Sequence, residues 1–298
     1  MMTVSFEIVG VFGTEAGGGS PLAVVHDADG LDTAEMQWIA GRLCADETVF
    51  VLRPTMPGAT YRVRVFTAAG ESPFGGHSAV GTAVSVVRCG VLPAGTVVQE
   101  CAGRLLTVRA DADRAALSAV GPQPLEPLPA DPVLDAVGLT RADLAGEPVQ
   151  AGFGPLFRLV PVRPAALARA RPDFAAMGRH ALPEVFLFSW DEAEDTAVAR
   201  LFAPGWALPE DPACASVGLA FGAWLAACPV PAAERSFRIR QGAELGRPAL
   251  LEGTVAAGGR STVVTIGGQA PRELAGQLTA GSLVGAGHAS VFRTSSVA

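Results

Sequence analysis

Hydrophobic and polar positions alternate along much of this chain, and the alternation predicts strands. Val4 to Phe12 reads as one strand, and Leu22 to Val25 as another after a glycine-rich turn, joined as a hairpin or through a loop. Asp32 or Thr33 is placed to cap a helix running to about Leu43, with Glu35 in its first turn and Met36, Ile39, Ala40 and Leu43 on one face. Glu47 then leads into a short strand through Leu52, so a carboxylate stands at the lip of a sheet. Further strands are predicted at Glu100 to Ala110, Ala115 to Val120, Phe157 to Val162, Val185 to Trp190, Phe237 to Gln241 and Ser261 to Ile266. From Glu273 onward, a closing helix and a strand returning to the first half of the chain read alike.

One device occurs twice. Tyr61 to Val87 is an alternating strand, a loop of Gly and Pro ending at Gly76 and His77, and a helix of small residues from Ser78. Ala197 to Leu225 repeats it, with a loop ending at Asp211 and Pro212 and a small-residue helix from Ala213. Arg64 and Phe66 match Arg200 and Phe202 at an offset of 136 residues, and His77 and Gly81 match Cys214 and Gly218 at 137. Both helices are small and apolar nearly all round, as a helix enclosed by a sheet must be. Five prolines between Gly121 and Pro132 exclude regular structure there and mark the boundary. The expected fold is α+β, in two pseudo-symmetric lobes, each a mixed sheet or barrel wrapped around a central helix. The first lobe, 1–120, carries Glu47 and His77. The second, 121–298, carries Asp211 and Cys214, and its last strand is open to assignment to either lobe.

A length of 298 residues suits two such lobes, and 49% hydrophobic against 17% charged residues is a globular composition. A net charge of -7 argues against nucleic acid or an anionic membrane as partner and leaves a small molecule. Met1 to Gly10 shows no export signal, and Val217 to Ala227 is too short for the ~20 residues of a membrane span, so a soluble cytoplasmic protein is expected. Cys44, Cys89, Cys101, Cys214 and Cys228 have neither disulfide nor zinc-knuckle spacing, and with His26, His180 and His288 read as structural or surface groups no metal is expected. The chain has no lysine, which excludes a pyridoxal phosphate Schiff base and a Walker-type phosphate loop. Gly17, Gly18 and Gly19 lack dinucleotide-binding spacing and lead to Pro21 and a strand.

Each repeated unit aims a helix N-terminus, with its unpaired amides and positive dipole end, at whatever lies between the lobes. That favours a small carboxylate as ligand. His77 at one terminus, and Asp211 with Cys214 at the other, add acid and base groups.

In sequence order, Pro21 to Val25, Glu47 to Phe50, Arg64 to Thr67, Pro73 to His77, Arg200 to Pro204, Glu210 to Ala213, Gln241 and Gly242, Gly246 to Pro248, and Ile266 to Gly268 make the chain resemble the PhzF-like isomerases, on the diaminopimelate epimerase fold. The resemblance implies a cofactor-free isomerase of a small unsaturated carboxylate, in natural-product biosynthesis, with Glu47 as proton shuttle. It implies that His77, Asp211 and Ser216 hold the substrate, with Ser20, Gly76, Ser78, Cys214 and Ala215 in the same binding segments, and a homodimer. A lone carboxyl does both proton jobs only in a dry apolar setting, which closure of the lobes would provide. The family's Thr-Gly-Ser after Asp-Pro-Ala is here Cys214, Ala215 and Ser216, and its Gly-Asn-Pro is Gly19, Ser20 and Pro21. Because amino-acid epimerases of the fold carry a catalytic cysteine where Cys214 stands, a cysteine-assisted racemase, epimerase or dehydratase is the alternative. A non-catalytic metabolite-binding descendant is the third reading.

Overall fold

The computed structural model describes residues 2–43, 45–73, 76–121, 125–206, 208–228, 234–258, 261–280 and 292–295. Cys44, Phe74, Gly75, Pro122, Pro124, Pro229 and His288 lie outside them. The chain divides into two compact units, Met1–Leu117 with Gly268–Ala298, and Ser118–Gly267.

The first unit contains β1 (Met2–Val11), β2 (Ser20–Val25), α1 (Thr33–Ala40), β3 (Glu47–Leu52), β4 (Tyr61–Thr67), β5 (Gly70–Ser72), α2 (Gly76–Arg88), β6 (Gly95–Cys101) and β7 (Arg104–Ala110), followed by β8 (Arg114–Gly121), which runs into the second. The second contains β9 (Glu126–Pro127), α3 (Ala130–Val137), β10 (Val149–Ala151), β11 (Phe157–Pro161), α4 (Pro164–Arg169), α5 (Phe174–Arg179), β12 (Val185–Asp191), β13 (Thr196–Phe202), β14 (Glu210–Asp211), α6 (Ala215–Ala227), β15 (Glu234–Gln241), β16 (Ala249–Gly258) and β17 (Ser261–Gln269). Then β18 (Arg272–Ala280) and β19 (Phe292–Ser295) belong with the first.

The duplication is visible in the strand order. In the first unit β18, β1, β2, β3, β4, β6, β7 and β8 are neighbours in turn, antiparallel throughout except for the parallel pairs β2–β3 and β4–β6. In the second unit β9, β10, β11, β12, β13, β15, β16 and β17 follow the same sequence of senses, with β11–β12 and β13–β15 parallel. Parallel neighbours require a crossover, and α2 and α6 supply it for β4–β6 and β13–β15. Every residue of α2 from Ser78 to Val86 is buried, and α6 is buried on nearly all sides, so each helix forms the centre of its unit. The α+β expectation holds.

Local sequence explains several element ends. The Asp32 side chain accepts from the Glu35 amide at 2.8 Å and the Glu35 carboxylate accepts from the Asp32 amide at 2.9 Å, a reciprocal cap that starts α1 at Thr33. Met36, Ile39, Ala40 and Leu43 are buried against Phe50 and Phe66, as their spacing predicts.

Two expectations are corrected, and one left open is decided. Glu100 to Ala110 is two strands, because Ala102 and Gly103 both take positive φ (46° and 75°) and turn β6 back along β7. The proline-rich segment is not devoid of regular structure: Glu126–Pro127 pairs with β10, and α3 begins at Ala130 with Pro132 in its first turn, where a missing N–H costs no helical bond. The segment from Arg272 is a strand, and β18 pairs with β1 on one side and with β19 on the other. Helices α3, α4 and α5, which the pattern did not reveal, bury Val133, Leu134, Leu167 and Met177 with Val160 and Leu187. Among the described residues no helix is long and apolar enough to cross a membrane.

Candidate active site

In the first unit, Glu47 is the opening residue of β3, paired in parallel register with Leu22 of β2. The five residues after it are all buried, so Glu47 is where this inner strand reaches the edge of the sheet. His77 is the second residue of α2. The two side chains are 13% and 12% exposed, and His77 Nε2 lies 3.5 Å from Glu47 Oε2. Neither atom has a hydrogen-bond partner. Leaving a buried polar atom unpaired costs about 1–3 kcal/mol, a cost that native folds largely avoid. Thr48 Oγ1, one residue along, is also buried without a partner.

The other first-unit candidates lie on the same elements. Ser20 opens β2, buried, opposite Val11. Before it, Gly19 takes φ +69°, and a Cβ there would stand 2.2 Å from the Val11 carbonyl oxygen, so only glycine fits this turn. Gly76 is the first residue of α2, and Ser78 is buried in its first turn. Cys101, the last residue of β6, is buried. Its thiol is pushed up by burial and then by the Glu47 and Glu71 carboxylates.

In the second unit, β14 ends at Asp211, which is buried. Its Oδ1 accepts from the Ala213 amide at 2.9 Å, and its carbonyl accepts from Gln241 Nε2 at 2.6 Å. That carboxylate therefore shapes the turn into the helix, while the N-cap position of α6 belongs to Cys214. Cys214 is buried with extended backbone (φ -130°) and makes no side-chain cap bond. Ala215 and Ser216 open α6, the first buried and the second half-buried, at the turn whose amides have no intrahelical acceptor.

The repeated arginines do equivalent work. Arg64 donates from Nε and Nη2 to Glu71 at 2.7 and 2.6 Å, with its guanidinium 5.1 Å from the Phe66 ring centroid. Arg200 donates from the same atoms to Glu210 at 2.8 and 2.9 Å, 4.7 Å from the Phe202 ring centroid. Each forked pair pins a short strand on the approach to a central helix.

Two enclosed helices, each inside the same order of strands, define the class. The model of the PhzC-PhzF, phenazine biosynthesis-like, proteins matches residues 9–276. An uncharacterized isomerase of Mesorhizobium japonicum is 35% identical over 93% of this chain and 99% of its own length. The trans-2,3-dihydro-3-hydroxyanthranilate isomerase of Pseudomonas aeruginosa is 29% identical over 88% of this chain and 95% of its own length. A PhzF-family phenazine biosynthesis protein of Bacillus anthracis superposes with a TM-score of 0.82 at 22% identity, over 94% of this chain and all of the other, and so shares the fold. The chain belongs to the phenazine biosynthesis-like family and is by class an isomerase or epimerase.

Proposed function

We propose that this protein is a cofactor-independent isomerase that moves a proton, and with it a double bond, within a small unsaturated carboxylate. Glu47 takes a proton from a carbon conjugated with the substrate carboxylate. The electron pair of that carbon–hydrogen bond becomes the new carbon–carbon double bond, and the glutamic acid so formed returns the proton at the far end of the three-carbon unit. One proton leaves and one returns, so the reaction is redox-neutral. His77 orients Glu47 and donates to the substrate. Ser20, Gly76 and Ser78 are the proposed substrate contacts beside this pair in the first unit. Amides at the α2 N-terminus favour carboxylate charge that grows as the carbon–hydrogen bond breaks.

The observation that carries this reading is the Glu47–His77 pair: two largely buried groups 3.5 Å apart, each with an atom left without a partner. A carboxylate held in that way has acceptor capacity to spend on a substrate proton. Substrates of the relative's kind, cyclic dihydro-hydroxy carboxylates, are the first compounds to assay. In deuterated water, the wild type should place solvent deuterium in the product, and Glu47→Gln should lose both exchange and turnover while its circular dichroism stays native. Undiminished turnover by that variant ends the proposal.

A further inference from the structure

Away from Glu47 and His77, the first unit buries a second polar cluster. Glu7 lies midway along β1, His26 directly follows β2, Ser85 is on α2, and Arg88 and Cys89 stand at the end of that helix. The Glu7 side chain is 2% exposed, and Arg272 of β18 donates from Nε to its Oε2 at 2.7 Å. Arg88 Nη1 stands 3.6 Å from Glu7 Oε1, while its Nε donates to the Ala112 carbonyl at 2.8 Å and its Nη2 to that of Ala270. His26, buried, has Nε2 2.8 Å from Ser85 Oγ. Three buried atoms are left without a hydrogen-bond partner: Glu7 Oε1, His26 Nδ1 and Arg88 Nη1. A carboxylate oxygen of Glu7, a ring nitrogen of His26 and Sγ of Cys89 all lie within 4.8 Å of one another.

We propose that Glu7, His26 and Cys89 form a binding site for one divalent transition-metal ion of the zinc, cobalt or nickel class, with solvent in the remaining position. The donor set is the borderline-soft mixture of imidazole, thiolate and carboxylate that such ions favour. Bonds of about 2.0–2.3 Å to a tetrahedral ion put ligand atoms roughly 3.3–3.8 Å apart, so atoms already within 4.8 Å of one another need only a small adjustment to share one ion. Cys89, exposed and one residue beyond α2, gives the ion its route in. The Ser85 contact at His26 Nε2 and the Arg272 contact at Glu7 Oε2 are outer partners that orient the two buried ligands. Burial holds His26 below its ordinary pKa, which keeps the imidazole neutral, as a ligand must be.

Charge decides which ions the site takes. Arg88 and Arg272 repel cations, so hard ions such as magnesium or calcium, which depend on charge and oxygen ligands, gain too little here. An ion that forms a metal–sulfur bond displaces the Cys89 proton to solvent and is neutralised by the resulting thiolate together with the Glu7 carboxylate. The bound ion ties β1, the end of β2 and the end of α2 together.

The test is titration of the whole chain with Co2+, followed by absorption. A 1:1 tetrahedral cobalt spectrum with a sulfur-to-cobalt charge-transfer band is expected, and Zn2+ should bleach it and raise the unfolding temperature. Cys89→Ser, a change at an exposed position, should lose the charge-transfer band with an unchanged circular dichroism spectrum, and His26→Gln should weaken binding about tenfold or more. No sulfur-to-cobalt band in the wild type, or an unchanged band in Cys89→Ser, overturns the proposal.

Discussion

Glu47 and His77 are 30 residues apart in the chain and 3.5 Å apart in space, and that contact gives an otherwise ordinary glutamate its candidate role. Positioned proton transfer accounts for about 10²–10⁴-fold in rate, so Glu47→Gln should lower turnover by about that much. Cys214 tests the alternative chemistry. It is buried at the N-cap of α6, and where it stands the repeated device of the first unit carries His77. Cys214→Ala should therefore keep most of its activity in a steady-state assay, and iodoacetamide should inactivate slowly. Loss as complete as in Glu47→Gln would favour the cysteine-assisted reading. The residues of this site were legible through motif order. Their contacts were not, because a carboxylate at a strand's first position looks the same in sequence whether it meets water or an imidazole.

Among the elements, the enclosed helices were the most legible, because small residues all round a helix have one physical use. Gly81 shows why: a Cβ there would meet Leu22 Cδ2 and Val11 Cγ2 at 2.6 Å, and in the second unit one on Gly218 would meet Ile266 Cγ1 at 2.9 Å. Gly81→Val should destabilise by about 1–3 kcal/mol through overpacking, read from urea unfolding midpoints. Gly178 of α5 has nothing within 4 Å of its would-be Cβ, so Gly178→Ala should instead stabilise by about 0.5–1 kcal/mol in the same measurement. Elements hidden from the sequence had competing local signals. The β6–β7 hairpin kept its apolar residues through a turn containing Ala102, an unusual residue at positive φ, and α3 to α5 are helices of eight residues or fewer that depend on packing against β11 and β12.

For the whole molecule, buried titratable groups set the pH range of stability. Burial lowers the His26 pKa in the folded state, so the unfolded chain takes up the proton first as pH falls. Stability from this group is complete above about pH 6.5, the unfolded value, and declines as pH drops through the range below it. Unfolding midpoints measured from pH 7.5 down to about 5 should fall, and more shallowly in His26→Gln. Cys101 acts in the opposite sense: its raised folded pKa gives stability that is present below the unfolded thiol value of 9.0 and is lost as pH rises beyond it.

The sequence by itself determined the α+β class, the twofold repeat, the two enclosed helices, and the places of Glu47, His77 and Asp211 on strand and helix ends, because periodicity, capping and residue size act over a few residues. Tertiary structure alone decided that β18 pairs with β1 in the first unit and that Glu7, His26 and Cys89 converge. Those facts depend on strand pairing between residues far apart in the chain, where hydrogen bonds and packing choose the partner and leave no local mark.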